Sequence, residues 1–222
     1  MQTTDRGLLA LIRHEGVVPG PYLDVKNIWT FGIGHTAAAG SPDPARMARG
    51  MPGDIDAGIR EAFRVFRTDL AAYEAAVLRA VKVPLAPHEF DALVSFHYNT
   101  GGIARAALTK ALNAGNRAAA ADGFMGWLKP AAIRPRREAE RDLFRHGSYP
   151  TGTIPVWAVD RNGRVDFSRP VRRLAEAEAL ALLRPTAGSP PPATMPDTVA
   201  PPPVTLGQRI LAFLKSLIGV PT

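Results

Sequence analysis

Residues 185–203 set the outer limit of any folded domain in this chain, because they contain eight prolines and no apolar periodicity. Proline fixes φ and lacks a backbone N–H, so such a run forms a semi-rigid extended linker and builds no core. The sequence therefore predicts that the folded part of the chain lies before residue 185. Residues 185–204 are predicted to be a linker, and residues 205–222 an amphipathic C-terminal helix.

Residues 1–150 have the periodicity of a mainly helical domain with one small sheet. Aromatic and β-branched residues in 21–36 surround turn formers at 24–27, which is typical of a hairpin. Apolar residues recur at helical spacing on both sides of that hairpin, so the predicted fold class is α+β. The predicted helices cover residues 5–15, 54–82, 87–100, 103–114, 116–128 and 135–146.

Residues 151–184 are predicted to form a hairpin-plus-helix extension. Two strand-like runs flank an Asn162–Gly163 turn, a strong hairpin signal. Residues 169–184 have the pattern of a helix that Pro170 opens. No function is predicted for this extension.

The C-terminal segment 205–219 places its apolar side chains on one helical face, but it is too short and too interrupted to span a bilayer. Three roles remain open for it. It can dock on the domain, pair with a copy of itself, or lie on an anionic membrane as a weakly basic amphipathic helix.

The net charge of +7 favours a polyanionic partner, but it does not choose among nucleic acid, a membrane face and an anionic wall polymer. The absence of cysteine excludes disulfides, thiolate zinc sites and a cysteine nucleophile. No metal-ligand spacing appears either, so neither a metal nor a cofactor is predicted. The N-terminal apolar run "LLALI" is shorter than a signal-peptide core, which predicts synthesis in the cytoplasm without a signal peptide.

Two carboxylates stand out in the stretch "RHEGVVPGPYLDVKNIWTFGIGHT", residues 13–36. Glu15 is predicted to lie at the end of the first helix, and Asp24 near the turn of the following hairpin. Two such carboxyl groups can face each other across a cleft, as acid-assisted displacement at an acetal carbon requires. Taken alone, an acid pair nine residues apart is a weak signal, because most such pairs are solvated surface groups.

The flanking residues make the signal specific. The stretch closely resembles the active-site signature of the bacteriophage-type lysozymes, glycoside hydrolase family 24, at Glu15-Gly16, Tyr22, Asp24, Trp29-Thr30 and Gly32-Ile33-Gly34-His35-Thr36. The resemblance continues in "VPLAPHEFDALVSFHYNTG" and "AAIRPRREAERDLF", so it covers roughly residues 5–147. It implies a lysozyme-like fold for residues 1–150, with a small antiparallel sheet beside the active-site helix and a helical C-terminal lobe.

The resemblance also implies a catalytic set of Glu15, Asp24 and Thr30. Glu15 would be the general acid, and Asp24 and Thr30 would hold the attacking water for an inverting hydrolysis. The substrate would be the β-1,4 bond between N-acetylmuramic acid and N-acetylglucosamine in peptidoglycan, and no nucleic acid is expected as a partner. An inverting geometry requires carboxyl groups about 6.5 to 9.5 Å apart.

Other residues receive supporting roles from the resemblance. Either Arg136 or Arg137 would lie beside Glu15 and hold it in place. Asn99 would offer its amide to the sugar, although an Asn before Gly is also a common helix cap. For His35 we expect a structural role, paired with Asp69, in preference to a role as general base.

The leading hypothesis is therefore an endolysin, a monomeric muramidase made in the host cytoplasm that reaches the periplasmic wall when a separate holin-type protein permeabilises the membrane. One alternative is a non-catalytic peptidoglycan-binding or localisation module with a lysozyme fold. The presence of all three catalytic side chains argues against it. Another is a membrane-active role for residues 205–219, either added to the enzyme or dominating lysis.

Overall fold

The computed structural model describes residues 1–184, so the predicted linker (185–204) and C-terminal helix (205–222) lie outside the described residues. The helices are α1 (Asp5–Glu15), α2 (Ile55–Ala80), α3 (Pro87–Thr100), α4 (Ala107–Asn113), α5 (Arg117–Gly123), α6 (Arg134–His146) and α7 (Glu176–Leu183). The strands are β1 (Val18–Leu23), β2 (Trp29–Gly32), β3 (His35–Thr36), β4 (Ile154–Val156), β5 (Ala158–Val159), β6 (Val165–Asp166) and β7 (Arg172–Leu174).

Helix α1 begins at a side-chain cap and ends at a glycine. The Thr4 hydroxyl accepts a hydrogen bond from Gly7 N at 3.0 Å and so satisfies one of the free donors of the first turn. Gly16, with φ of 72°, ends the helix, a backbone conformation that suits glycine. The predicted helix is confirmed, and its last residue is Glu15.

Strands β1, β2 and β3 form a three-stranded antiparallel sheet directly after α1. Leu23 pairs with Trp29, so residues 24–28 form the loop of the β1–β2 hairpin, as the turn formers predicted. The long helix α2 packs against all three strands and against α3, and thereby joins the sheet to the helical part of the molecule.

The main hydrophobic core runs through α1, α2, α3 and the helices that follow. Helices α4 and α5 pack on each other, and α6 packs along α3. Two of the predicted helices are longer than those observed. The segment predicted over 103–114 is helical from Ala107, and the one predicted over 116–128 ends at Gly123, before a short 3-10 turn at Phe124–Gly126.

The extension 151–184 contains the predicted hairpin, as β5 and β6 around residues 160–164. The helix predicted from residue 169 is wrong in its first half, because Arg172–Leu174 form strand β7 and the helix begins at Glu176. Strand β7 pairs antiparallel with β4, and its Leu174 is fully buried in the main core. A non-local pairing therefore overrides the local helical pattern.

The extension packs closely against residues 5–80. Helix α7 contacts α1 and α2, and β5 contacts β1. Arg13 of α1 donates to the carbonyl oxygens of Pro150 and Gly152 and to the carboxylate of Glu176. Within residues 1–184 we find no helix with the length and apolar character needed to cross a membrane.

Candidate active site

Glu15, the last residue of α1, is fully buried. Its Oε1 accepts a hydrogen bond from Nη1 of Arg136 at 2.5 Å. Its Oε2 is buried and has no hydrogen-bond partner among the described residues. The carboxyl group is thus held through one oxygen, while the other makes no hydrogen bond within residues 1–184.

Asp24 follows strand β1 and opens the turn of the hairpin. Its Oδ1 accepts hydrogen bonds from the backbone N–H groups of Lys26 and Ile28, both at 2.8 Å. Asn27 adopts a positive φ of 59°, which this turn requires and which asparagine tolerates. Within residues 1–184, the buried Oδ2 of Asp24 makes no hydrogen bond.

Each of the two carboxylates has a buried oxygen without a hydrogen-bond partner in residues 1–184, which by itself lowers the stability of the folded state. Leaving a buried polar atom unsatisfied costs about 1 to 3 kcal/mol, so such atoms are rare and call for an explanation. Glu15 and Asp24 each keep one oxygen fixed by donors and one without a partner in the described chain. A substrate hydroxyl, a glycosidic oxygen or a water molecule would supply the missing partner.

Thr30 lies on β2, two residues after the end of the hairpin loop that Asp24 opens. It is buried and pairs with Tyr22 of β1, and its hydroxyl donates to the carbonyl of Ile28 at 3.0 Å. The same residue, Ile28, donates its N–H to Asp24. The hydroxyl of Thr30 and the carboxylate of Asp24 therefore both hydrogen-bond to the backbone of Ile28.

An ionic cluster on α6 holds Glu15 from the other side. Arg136 donates from Nε to Glu140 at 2.9 Å and from Nη2 to the carbonyl of Ser95 at 3.2 Å. Arg137 donates to Glu140 and to Oδ1 of Asn99. Of the two arginines predicted from the sequence, it is Arg136 that contacts Glu15, and Arg137 that contacts Asn99.

Arg136 and Glu140 of this cluster stabilise each other's charged forms, and their pKa values are shifted accordingly. Burial raises the pKa of Glu140, but the positive charges of Arg137 and Arg136 outweigh burial and hold that pKa below its ordinary value. Burial lowers the pKa of Arg136, but Glu15 and Glu140 outweigh it and raise that pKa. Burial and the charge of Arg136 lower the pKa of His14 to about 3, so the histidine beside Glu15 is neutral at neutral pH.

A cavity of about 340 Å³ adjoins the cluster at the end of α3. Its lining includes Arg137 and Asn99, an aromatic ring and a lysine. These side chains offer hydrogen-bond donors and an apolar ring face, the two features that sugars use for binding. The lining residues are Asn99, Thr100, Gly126, Trp127, Leu128, Lys129 and Arg137.

His35 and Asp69 form a buried pair that joins β3 to α2. Nδ1 of His35 lies 2.8 Å from Oδ2 of Asp69, and Nε2 lies 2.7 Å from the carbonyl oxygen of Pro42. Burial lowers the pKa of His35, but the hydrogen bond and the charge of Asp69 outweigh it, so that pKa is raised. Both ring nitrogens are occupied, which fits the predicted structural pairing.

Two members of the cluster, Glu140 and Ser95, were not predicted. Ser95 donates its hydroxyl to Glu140 at 2.7 Å. Glu140 follows Arg136 by four residues and Arg137 by three, and both spacings bring side chains together on a helix. That spacing was the available signal for Glu140, whereas the sequence carries no comparable signal for Ser95.

Comparison with known proteins agrees with this geometry. The profile of the family described as phage lysozyme matches residues 12–140. The chain belongs to the phage lysozyme family. All eight residues predicted for the site lie within the matched range, whereas the extension 151–184 lies outside it.

Relatives of this phage lysozyme support the assignment. The chain is 37% identical to the endolysin of Salmonella phage P22 over 150 residues, which are 65% of this chain and 98% of that protein. It is 33% identical over 142 residues to the SAR-endolysin of Escherichia phage Mu, covering 61% of this chain and 76% of the relative.

Solved structures of phage lysozymes resemble the described fold. The endolysin of Escherichia coli O157:H7 phage FAHEc1 matches with a TM-score of 0.57 at 29% identity, covering 68% of this chain and 98% of that one. A variant of the P22 lysozyme matches with a TM-score of 0.52 at 32% identity, covering 65% and 98%. The predicted lysozyme-like α+β fold is confirmed, and the chain is a hydrolase of the lysozyme class.

Proposed function

We propose that this lysozyme hydrolyses the β-1,4 bond between N-acetylmuramic acid and N-acetylglucosamine in bacterial peptidoglycan, with inversion at the anomeric carbon. The observation that carries the proposal is the pair of buried carboxylates, Glu15 and Asp24, each with one oxygen held and one without a partner in residues 1–184. Glycoside hydrolysis by inversion uses two carboxyl groups in this way, one as acid and one as base.

In the proposed step, Glu15 transfers its proton to the glycosidic oxygen as the bond from that oxygen to the anomeric carbon of N-acetylmuramic acid breaks. A water molecule attacks that carbon from the opposite face and loses a proton to Asp24. The products are two free sugar ends, and the proton taken up by Asp24 balances the one that Glu15 gives. Thr30 positions the water with its hydroxyl.

The remaining predicted residues act around this pair. Arg136 fixes the orientation of Glu15 through the 2.5 Å hydrogen bond, and Arg137 orients Asn99 beside the cavity. Asn99 then offers its amide group to the sugar. His35 and Asp69 hold the sheet against α2 and so support the strand that carries Thr30.

Delivery to the wall is proposed from the relationship to endolysins. The enzyme is made as a monomer in the host cytoplasm, and a separate holin-type protein opens the membrane so that it reaches the periplasmic peptidoglycan. The segment 205–219 adds contact with the anionic membrane. The net charge of +7 supports binding to the anionic wall and membrane surfaces.

The substitution Glu15→Gln tests the chemistry, because it removes the transferable proton with little change in shape. We expect it to lower kcat by about 100-fold or more, since a positioned general acid contributes at least that factor. Turnover is measured on purified peptidoglycan, and proton NMR of the first products reports the anomeric configuration. The α anomer is expected from inversion of the β bond.

Glu61→Gln is the matched control, because Glu61 lies on α2 in an exposed ion pair with Arg64. It should leave turnover unchanged. Thermal unfolding of both variants establishes that the protein is folded. Full turnover by folded Glu15→Gln would refute the acid assignment, and a β anomer as first product would refute inversion.

A further inference from the structure

The turn at Asp160 repeats the hydrogen-bond pattern of the turn at Asp24. In each turn the aspartate Oδ1 accepts from the backbone N–H groups two and four residues on, at 2.8 to 2.9 Å. In each, the aspartate carbonyl accepts from the N–H three residues on, and its own N–H donates to the carbonyl four residues on. The third residue after the aspartate has positive φ in both, as Asn27 and Gly163.

The two turns lie against each other. The carbonyl of Gly163 accepts a hydrogen bond from Leu23 N at 2.8 Å, immediately before Asp24. A Cβ atom placed on Gly163 would lie 2.7 Å from the ring of Trp29. Leu23 and Trp29 are the paired residues that close the hairpin loop beginning at Asp24. Gly163 therefore contacts both strands that hold the Asp24 turn.

The same extension also holds the chain just after Glu15. Val17 donates its N–H to the carbonyl of Pro155 at 3.1 Å and accepts from Trp157 N at 2.8 Å. Both backbone groups of Val17 are thus used by residues 155–157. Val17 lies two residues beyond Glu15 and directly before β1, and Leu23 is the last residue of β1. The extension therefore forms hydrogen bonds at both ends of the strand that connects Glu15 to Asp24.

Side chains fill the space between these two points. Val18 and Tyr22 of β1 form a small buried cluster with Trp157 and Val159 of the extension. At Gly20, between Val18 and Tyr22, a Cβ atom would lie 3.0 Å from Cγ1 of Val159. Strand β1 is therefore packed against the extension along its length, by residues that lie outside the region matched by the family.

We propose that residues 151–184 form a brace that sets the position of Asp24 relative to Glu15, with Gly163 and Asp160 as positioning residues. The proposal rests on the proposed function, because it concerns the geometry of that carboxylate pair. An inverting step depends on the separation of its two carboxyl groups, and a misplacement of about 1 Å can reduce the rate by about 100-fold. Neither positioning residue needs to touch the substrate.

Two substitutions in the full-length chain disturb the brace in different ways. Gly163→Ala puts a methyl group against Trp29 at a positive φ of 77° and should displace the turn from Leu23. Asp160→Ala adds no atom and removes the acceptor that holds the turn. Asp160→Asn retains that acceptor and serves as the conservative rescue.

Gly115→Ala is the matched control for the glycine change. Its φ of 80° is nearly the same, and a Cβ atom there would meet nothing within 4 Å among residues 1–184. Each variant is assayed on soluble, uncross-linked peptidoglycan glycan strands for kcat and KM. Thermal unfolding reports stability, and amide hydrogen exchange at Leu23 by NMR reports the contact itself.

We expect kcat to fall about tenfold or more in Gly163→Ala and Asp160→Ala, with KM changed by less than about twofold, because the disturbance affects the chemical step and not binding. Exchange at Leu23 should accelerate in both. Asp160→Asn and Gly115→Ala should keep kcat within about twofold of wild type, since neither alters the contact.

Unchanged kcat with accelerated exchange at Leu23 would overturn the brace, and so would an equal fall of kcat in Gly115→Ala. If Gly163→Ala does not fold, Asp160→Ala and its rescue decide the matter alone. Failure of the proposed function is a distinct result, since wild type would then fail to cleave the glycan while exchange at Leu23 still responded to the substitutions.

Discussion

At the scale of single residues, the His35–Asp69 pair makes stability depend on pH. Asp69 raises the pKa of His35, so the folded protein binds that proton more strongly than the unfolded chain does. Stability from this source is fully present below the ordinary histidine pKa of about 6.5 and is lost as pH rises through the folded value. The pKa of Asp69 is also raised, because burial raises it more than His35 lowers it. The stability that is lost above the ordinary histidine pKa is therefore attributed to deprotonation of His35.

Asp69→Asn is the corresponding prediction. The variant should be less stable than wild type by about 3 to 5 kcal/mol near pH 5.5, as for loss of one partner of a buried ion pair. The difference should shrink by pH 9, because wild type has then lost the histidine proton. Urea unfolding at both pH values measures it, with Asp43→Asn, at an exposed ion pair, as control. A difference independent of pH would contradict the raised pKa of His35.

For helices, strands and turns, the sequence predicted those features that depend on residues close together in the chain. Helix α1 ends at Glu15 because Gly16 follows, and Asp24 lies in a turn because its own carboxylate binds the next N–H groups. The choice between Arg136 and Arg137 was not local, since the contact joins residues 121 positions apart. Strand β7 was missed for the same reason, because its pairing with β4 lies outside its own sequence pattern.

Helix α6 provides the next test, because three of its side chains form one buried ionic cluster. Glu140→Gln leaves Arg136 and Arg137 without the carboxylate they share and should lower the free energy of unfolding by about 3 to 5 kcal/mol. Glu138→Gln, on the same helix in a half-exposed pair with Arg134, should change it by no more than about 0.5 kcal/mol.

Urea unfolding at pH 7 compares these two variants directly. The lowered pKa of Glu140 adds a second expectation, since stability from this carboxylate is present above its ordinary pKa and lost as pH falls through the lowered folded value. The deficit of Glu140→Gln should therefore diminish in acid. Equal stability of the two variants at pH 7 would show that the cluster contributes nothing through its charge.

At the scale of the whole molecule, the division of the chain at residue 185 is the prediction to test. The family match ends at residue 140, and among the described residues 1–184 lie two hydrophobic clusters, the carboxylate pair and the arginine cluster. A chain ending at Arg184 should therefore unfold at nearly the same temperature as the full chain and hydrolyse purified peptidoglycan at nearly the same rate.

Removing residues 185–222 also tests the membrane role of the segment 205–219, because the truncated and full-length proteins can be compared on vesicles with and without anionic lipid. A membrane contact predicts that only the full-length protein binds, and only to the anionic vesicles, since a weakly basic amphipathic helix needs both apolar burial and charge attraction. Equal binding by the two proteins would assign membrane affinity to the enzyme surface. Loss of folding on truncation would instead show that the C-terminal segment belongs to the lysozyme domain itself.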